Sequence, residues 1–210
     1  MHRLGPHCLP ARGLYAITDG PRPDLRAAVE RALEGGAAIV QYRDKSGDGE
    51  RRRAEGADLL ALCRRFGVPL IVNDDVELAA TIGADGVHLG EGDGGIDTAR
   101  IRLGAAAIIG VSCYDSLDLA RQLAGAGADY LAFGAFFPSP TKPLARHARA
   151  DLLRDAKAFG LPLVAIGGIT PDNAQPLIEA GADFVAAISG VFAASDPFAA
   201  ARRYANLFTK

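Results

Sequence analysis

Short runs of apolar residues, many of them β-branched, recur along the chain, and amphipathic segments with helical spacing lie between them. The apolar runs predict strands at Leu14–Thr18, Ile39–Arg43, Leu70–Asn73, Gly86–Leu89, Ile108–Ser112, Tyr130–Gly134, Leu163–Ile166 and Phe184–Ser189. The clearest predicted helices are Asp24–Glu34, Glu50–Phe66, Leu117–Ala126, Pro171–Ala180 and Pro197–Phe208. Regular alternation of strand and helix indicates parallel strands joined by right-handed crossovers. We therefore predict an α/β fold, a single (β/α)8 TIM barrel.

A weak internal repeat supports this fold. Gly-Ala-Asp precedes three of the predicted strands, at residues 83–85, 127–129 and 181–183, and Gly-Gly-Ala at 35–37 precedes the second strand. Each glycine is expected to end the preceding helix in the left-handed conformation. A single triplet would be an ordinary helix end. Its return before alternate strands favours tandem pairs of βα units.

Composition narrows the class of protein further. The 210 residues are 49% hydrophobic, enough for one barrel at residues 13–210 behind a flexible lead-in at residues 1–12. A net charge of −2 without a basic stripe argues against nucleic acid, and no apolar run approaches the ~18 residues of a membrane helix. Three distant cysteines and an N-terminus without a secretory pattern indicate the cytoplasm. We expect the partners to be small-molecule substrates. The sequence leaves open whether the chain forms a homo-oligomer.

Polar residues follow the second predicted strand, at the end where barrel enzymes carry their chemistry. Gln41, Arg43 and Lys45 alternate, so their side chains point to one side of an extended segment. A guanidinium offers two parallel donors and an ammonium a mobile charge, a combination suited to pyrophosphate. The alternative is a surface loop with unrelated charges, but the apolar flanking segments favour an anion site.

Acidic residues follow the third and fourth strands, which are neighbours in a barrel. Asp74 and Asp75 end the third strand, and Asp93 follows the fourth. Two carboxylates beside a pyrophosphate form a hard oxygen site of the kind that Mg2+ prefers. Asp74 and Asp93 are the predicted ligands. Asp75 is the alternative to Asp74, although it is also placed to cap the helix that begins near Val76.

Two further strand ends carry candidate binding groups. Ser112 ends the fifth strand and offers a hydroxyl, whereas the neighbouring Cys113 has no histidine within motif distance and is interpreted as an inert thiol. The sixth strand leads into a proline-rich segment that contains Ser139, Thr141 and Lys142. We predict that this segment is a lid over a phosphate.

Glycines follow the seventh strand, and a serine follows the eighth. The backbone N–H groups of Gly167, Gly168 and Ser189 can hold a phosphomonoester, and the loops after these strands are the usual phosphate site of this fold. Two tight turns are the alternative. Residues 90–95 also fit the dinucleotide pattern G-x-G-x-x-G, but the next strand ends in Ser112 rather than an acid, so a loop that carries Asp93 is the simpler interpretation.

Eight segments together carry a family resemblance: GLYAITD, VQYRDK, VNDD, GADGVHLGEGD, GVSCY, FFPSPTKP, AIGGITPDNA and GADFVAAIS. From about residue 13 to residue 208 the chain resembles thiamine phosphate synthase. The resemblance implies a (β/α)8 barrel that joins a hydroxymethylpyrimidine diphosphate to a thiazole phosphate, or its carboxylated form, with Mg2+. The products are thiamine phosphate and pyrophosphate.

The resemblance also implies roles for individual residues. Those implied to contact the pyrimidine diphosphate are Gln41, Arg43, Lys45, Asn73 and Lys142, with Ser112 beside the pyrimidine and Asp74 and Asp93 on Mg2+. Those implied to surround the thiazole phosphate are Ser139, Thr141, Gly168, Ile188 and Ser189. The same motifs add Tyr42, Asp44 and Pro140 to the substrate-binding set. The predicted catalytic residues are Arg43, Lys45, Ser112 and Lys142.

The implied reaction is dissociative: pyrophosphate leaves, and the thiazole nitrogen attacks a pyrimidinylmethyl cation, so no protein nucleophile is required. The nearest rival is the thiazole tautomerase on the same barrel. It generally lacks the full pyrophosphate and metal set and works with a histidine near the end of strand five, where this chain has Tyr114. An isomerase would need an acid–base pair in the barrel mouth, and a non-enzymatic barrel would not need the Mg2+ acids.

Overall fold

The structure, a computed structural model, describes residues 9–138 and 148–209. Within these residues eight parallel strands close into a barrel in sequence order, and β8 pairs with β1. The strands are β1 (Gly13–Ile17), β2 (Ala37–Tyr42), β3 (Leu70–Asn73), β4 (Gly86–Leu89), β5 (Ile108–Tyr114), β6 (Tyr130–Phe133), β7 (Leu163–Ala165) and β8 (Phe184–Ala187). The predicted (β/α)8 TIM barrel is confirmed. Residues 1–8 of the predicted lead-in, and Ser139, Pro140, Thr141 and Lys142 of the predicted lid, lie outside the described residues.

Helices follow the strands around the outside of the barrel. They are α1 (Leu25–Glu34), α2 (Gly49–Phe66), α3 (Val76–Ile82), α4 (Ile96–Leu103), α5 (Leu117–Gly125), α6 (Asp151–Ala156), α7 (Gln175–Glu179), α8 (Ser189–Phe192) and α9 (Pro197–Ala205), with 3-10 turns at Lys157–Phe159 and Asn206–Phe208. The helix predicted from Pro171 begins later, because Oδ1 of Asn173 accepts a hydrogen bond from the Thr170 N–H and closes a turn there. No helix in the described part of the chain is long and apolar enough to cross a bilayer.

The repeated Gly-Ala-Asp triplets close the N-terminal end of the barrel. Asp85, Asp129 and Asp183 each precede an even-numbered strand and accept a hydrogen bond from a backbone N–H of the strand before it, at 2.8 to 2.9 Å. The donors are Leu70, Ile109 and Leu163. A buried N–H needs a partner, and a carboxylate is a strong one. The aspartate of each triplet therefore links two neighbouring strands, a role that the sequence analysis did not assign to it.

Two packed layers hold the barrel together. The larger layer lies between the strands and the surrounding helices, and the smaller one fills the barrel interior. The interior layer contains Tyr15, Ile17, Ile39, Ile71, Ile108, Tyr130, Ala132, Val164, Phe184 and Ala186. Alternate residues of a strand face opposite sides of the sheet, so the same alternation that seals the interior also aims polar side chains at the rim.

Candidate active site

Two adjoining cavities open at the C-terminal ends of the strands. One has a volume of about 800 Å3 and lies over the ends of β5 to β8, and the other, of about 270 Å3, lies mainly over β1 to β5. Arg43, Ser112 and Tyr114 line both cavities, so a molecule in one can meet a molecule in the other. Pockets at this rim are where enzymes with this fold hold their substrates.

The smaller cavity gathers the polar residues that follow β2. Gln41, Arg43 and Lys45 all line it, together with Asn73 from the end of β3. The backbone of Arg43 is fixed just beyond β2, since its N–H donates to Oγ1 of Thr18 at 2.8 Å and its carbonyl accepts from the same hydroxyl at 3.1 Å. Two cationic side chains therefore reach one concave surface from a fixed piece of backbone.

An acidic pair completes the smaller cavity. Asp74, with φ of 63°, and Asp93 both line it, and Nζ of Lys45 lies 3.7 Å from Oδ2 of Asp74. Burial and the neighbouring carboxylate of Asp93 raise the pKa of Asp74. The loop with Asp93 is closed by a 2.8 Å hydrogen bond from the Gly90 N–H to its Oδ2. Two partly buried carboxylates that repel each other are an arrangement that a cation would relieve.

The pair fits Mg2+ better than a metal that needs an all-protein cage. Among residues 9–138 and 148–209, no cluster of three or more His, Cys, Asp or Glu side chains is suited to a metal. Mg2+ usually keeps several waters and takes one or two carboxylates together with substrate phosphates. Asp75, the alternative ligand, accepts from the Leu78 N–H at 2.8 Å as the cap of α3 and pairs with Arg52 at 3.1 Å. Its placement therefore favours Asp74 as the ligand.

Two residues predicted to bind substrate lie elsewhere. The Tyr42 side chain is buried on the helix side of β2, where its hydroxyl donates to Glu55 at 2.7 Å. Asp44 is also buried and pairs with Arg51 of α2 at 2.6 Å. Neither is among the residues that line the two cavities. The reason is alternation: residues that follow Gln41 and Arg43 by one position face the opposite side of the extended segment.

The larger cavity is lined mostly by uncharged residues and is rich in backbone groups. Gly168, Ile188 and Ser189, predicted to surround a phosphate, all line it, as does Gly167. Gly167 and Gly168 have φ of 100° and 61°, and no described residue accepts a hydrogen bond from their N–H groups. Nδ2 of Asn173 donates to the Gly168 carbonyl at 3.1 Å and holds this turn in place. The turn can therefore offer two free donors to an anion.

Several site residues were missed from the sequence. His88 of β4 lines the smaller cavity, with its Nδ1 2.9 Å from the Tyr130 hydroxyl and its Nε2 3.0 Å from Oγ of Ser112. Burial lowers the pKa of His88 to about 4, so the imidazole is neutral near pH 7. A titratable residue inside a short apolar strand was the available signal. Cys113 was interpreted as an inert thiol. Its burial agrees with this, because burial raises the pKa of the thiol to about 12.

Tyr114 is a second residue of the site that the family pattern did not assign. It has φ of 54°, and its hydroxyl accepts a hydrogen bond from the Glu91 N–H at 3.2 Å. This contact ties the end of β5 to the loop that carries Asp93. Tyr114 lines both cavities, so it also forms part of the boundary between them.

The fold and the cavities define a class: a (β/α)8-barrel enzyme with a site for small charged molecules on its C-terminal rim. A family model described as thiamine monophosphate synthase matches residues 14–191. The chain therefore belongs to the thiamine monophosphate synthase family and is a transferase.

Individual relatives agree with this assignment. The chain is 58% identical over 200 residues to a thiamine-phosphate synthase of Thiobacillus denitrificans, which covers 93% of this chain and 94% of that one. The identity is 56% over 192 residues for the thiamine-phosphate synthase of Halorhodospira halophila, with 91% of each chain covered. A solved structure of thiamine phosphate pyrophosphorylase from Pyrococcus furiosus superposes with a TM-score of 0.85 at 35% identity, covering 94% of this chain and 95% of that one. The comparisons give no support to the tautomerase alternative.

Proposed function

We propose that the chain condenses the pyrimidine diphosphate with the thiazole phosphate across its two adjoining cavities. The diphosphate group occupies the smaller cavity and the thiazole phosphate the larger one. The observation that carries this assignment is the shared lining: Arg43, Ser112 and Tyr114 border both spaces. The smaller cavity has the cations and acids, and the larger has free backbone donors. Each space therefore suits one of the two phosphorylated reactants, and the reacting atoms meet at the common wall.

The protein groups act on charge and position rather than by covalent catalysis. Arg43 and Lys45 donate to the diphosphate oxygens as they gain charge, which stabilises departure of the leaving group. The walls of the two cavities hold the thiazole nitrogen facing the reacting carbon, which replaces a bimolecular encounter by a positioned one. Lys142, which lies outside the described residues, is predicted to be a further cationic donor to the diphosphate.

Asp74 and Asp93 are proposed to hold Mg2+. When bound, the ion would neutralise negative charge on the diphosphate and act as a Lewis acid toward it. Lys45, 3.7 Å from Asp74, would balance the remaining negative charge of the acidic pair. We further propose that the protein works in the cytoplasm. That the chain forms a homo-oligomer remains a prediction.

A single assay tests the proposed function. Purified protein is given the pyrimidine diphosphate, the thiazole phosphate or both, with Mg2+ or with excess EDTA, and pyrophosphate and thiamine phosphate are quantified. We expect both products only when both substrates and Mg2+ are present, in equal amounts. Isomerisation of the thiazole phosphate without thiamine phosphate would instead identify a tautomerase. Pyrophosphate release from the diphosphate alone would identify a hydrolase.

The Gly168 turn gives a test of the larger cavity. A Cβ at Gly168 would lie 2.4 Å from the carbonyl oxygen of Pro138 and 2.7 Å from that of Phe137, so Gly168→Ala must shift the turn. We expect the KM for the thiazole phosphate to rise at least about tenfold, which corresponds to ~1.4 kcal/mol of lost binding. The KM for the pyrimidine diphosphate should change much less. Steady-state kinetics with each substrate varied in turn measures both.

Gly160 offers a matched control for this substitution. Its φ of 69° is close to the 61° of Gly168, but a Cβ there would meet no described atom within 4 Å. Gly160→Ala therefore carries a similar backbone strain of ~1 kcal/mol without the collision. It should lower stability and leave both KM values unchanged. Equal effects of the two variants on the KM for the thiazole phosphate would remove the Gly168 turn from the phosphate site.

A further inference from the structure

A chain of hydrogen bonds crosses the barrel interior along the wall of the smaller cavity. It joins five strands through Gln41, Tyr15, Tyr130, His88 and Ser112, in that order. Nε2 of Gln41 lies 2.8 Å from the Tyr15 hydroxyl, and the Tyr15 and Tyr130 hydroxyls are 2.7 Å apart. Nδ1 of His88 lies 2.9 Å from the Tyr130 hydroxyl, and its Nε2 lies 3.0 Å from Oγ of Ser112. All of these residues except Tyr130 line the cavity, including Gln41 and Ser112 at the two ends.

The two tyrosines in the middle of the hydrogen-bond chain expose almost no surface. Tyr15 is 1% exposed and Tyr130 is fully buried. Their rings meet edge to face at 5.9 Å, and the His88 ring stacks on Tyr130 at 5.6 Å. Gly110 of β5 leaves the room for Tyr130, because a Cβ there would lie 1.8 Å from a ring carbon. Within the described residues, the hydroxyls of Tyr15 and Tyr130 form hydrogen bonds only with each other, Gln41 and His88.

The number of available protons fixes which group donates and which accepts along this chain of hydrogen bonds. Each tyrosine hydroxyl has one proton to donate, and a neutral imidazole has one N–H. Because the Gln41 amide donates to the oxygen of Tyr15, the Tyr15 proton must go to Tyr130, and the Tyr130 proton to Nδ1 of His88. The single imidazole proton then lies on Nε2 and is donated to Ser112. Ser112 already accepts, so its own proton remains for a ligand in the cavity.

The other proton arrangements fail or need a different amide. With the observed Gln41 orientation, a proton on Nδ1 would leave the proton of Tyr15 or Tyr130 without an acceptor among the described residues. Both tyrosines expose almost no surface, so such an unpaired donor costs about 1–3 kcal/mol. A doubly protonated imidazole has the same defect. Only a Gln41 amide turned by half a rotation would reverse every donor in the chain.

We propose that Tyr15, Tyr130 and His88 are positioning residues that fix the hydrogen-bond polarity of the cavity: Gln41 presents its carbonyl oxygen as an acceptor, and Ser112 presents its hydroxyl as a donor. This pair matches a heterocycle with an exocyclic amino group and an unprotonated ring nitrogen. It disfavours the oxo ring, in which a carbonyl replaces the amino group and the adjacent nitrogen carries the proton. The choice of an aminopyrimidine rests on the proposed function, whereas the polarity itself does not.

The imidazole tautomer in the substrate-free enzyme tests the polarity directly. Long-range proton–nitrogen NMR distinguishes a protonated, pyrrole-like nitrogen from an unprotonated, pyridine-like one, and His88→Gln identifies the signals of this ring. We expect Nε2 of His88 to be pyrrole-like and Nδ1 pyridine-like. A protonated Nδ1, an imidazolium, or a mixture of tautomers would overturn the proposal. This measurement needs no activity, so it stands even if the proposed function fails.

Tyr130→Phe tests the positioning role. The variant removes the donor to Nδ1, so we expect a mixture of His88 tautomers. The kcat/KM for the pyrimidine diphosphate should fall about tenfold, the usual weight of one hydrogen bond. The ratio of kcat/KM for the diphosphate over its 4-oxo analogue should fall as well, since the polarity no longer excludes the oxo ring. A wild-type tautomer with a wild-type ratio in this variant would contradict the role.

A matched control separates loss of polarity from loss of a buried hydroxyl. Tyr42 is equally buried, but its hydroxyl donates to Glu55 on the helix side of the barrel. Tyr42→Phe should lower stability and leave the His88 tautomer and the analogue ratio as in the wild type. If Tyr42→Phe disturbs the tautomer as much as Tyr130→Phe, the effect is general loosening of the barrel, and the proposal is wrong.

Discussion

Asp74→Asn and Asp93→Asn should each reduce kcat on the order of a thousandfold at saturating Mg2+, because charge stabilisation by a bound metal is worth several kcal/mol. Asparagine keeps the shape of the side chain and can still accept the hydrogen bond that the Gly90 N–H gives to Asp93. The fold should therefore survive. Rates of each variant over a range of Mg2+ concentrations, with thiamine phosphate as the measured product, check the prediction.

Stability adds an independent readout to the acidic pair. Because the neighbouring carboxylate helps to raise the pKa of Asp74, the two charges repel each other in the metal-free protein. Each asparagine variant should therefore have a Tm without metal that equals or exceeds that of the wild type. Added Mg2+ with pyrophosphate should raise the Tm of the wild type but not of the variants. Wild-type kcat in both variants would refute the metal site.

Asp75→Asn is the matched control for the acidic pair. Asp75 caps α3 through the Leu78 N–H and pairs with Arg52, and asparagine is as good a cap as aspartate. We expect kcat within about threefold of the wild type, since substitutions away from the chemistry usually cost under ~0.5 kcal/mol. A collapse of activity in Asp75→Asn, with Asp74→Asn active, would exchange the roles of these two neighbours.

Arg43→Gln should lower kcat/KM for the pyrimidine diphosphate by about 10²–10³-fold, the usual loss when one preorganised donor to a developing charge is removed. Glutamine retains a hydrogen-bond donor but loses the charge and the planar pair of N–H groups. The Thr18 contacts involve only the backbone of Arg43, so the loop should stay in place. Single-turnover and steady-state kinetics separate the loss in chemistry from the loss in binding.

Arg102→Gln serves as the control for this loss of charge. Arg102 lies on α4 and pairs with the exposed carboxylate of Glu77, away from both cavities. It should keep wild-type kinetics, because an exposed ion pair contributes little. The assignment of Arg43 to the leaving group fails if Arg43→Gln weakens use of the thiazole phosphate at least as much as use of the diphosphate.

The fold was predictable because its signals are local and repeated. Alternating apolar runs gave the strands, and the triplets that end in Asp85, Asp129 and Asp183 proved to be links between neighbouring strands. Helix bounds were less certain. The helix predicted from Pro171 was too long, because the Asn173 side chain bonds the backbone more locally than a helix would.

The site was predictable where alternation and strand ends decide it. Gln41, Arg43 and Lys45 face one way and meet Asp74 in the smaller cavity. Tyr42 and Asp44 entered the prediction only because they share a motif with these residues, and the same alternation turns them away.

The buried tyrosine chain could not be predicted from the sequence. Tyr15 and Tyr130 are 115 residues apart, and each alone is an ordinary apolar position in a strand. In the sheet, β1 is a neighbour of neither β4 nor β6. The interior side chains of these three strands meet only because the barrel is closed. The register of the strands, set by packing across the whole barrel, decides that these hydroxyls and His88 meet.

Anomalous diffraction from a crystal grown with Mn2+ and pyrophosphate tests most directly whether a metal and two cations share the leaving group. Mn2+ takes the oxygen ligands that suit Mg2+ and scatters anomalously. We expect an anomalous peak coordinated by Asp74 and Asp93, with pyrophosphate oxygens in contact with Arg43 and Lys45. An empty acidic pair, or pyrophosphate bound at the Gly168 turn with no contact to Arg43, would contradict it.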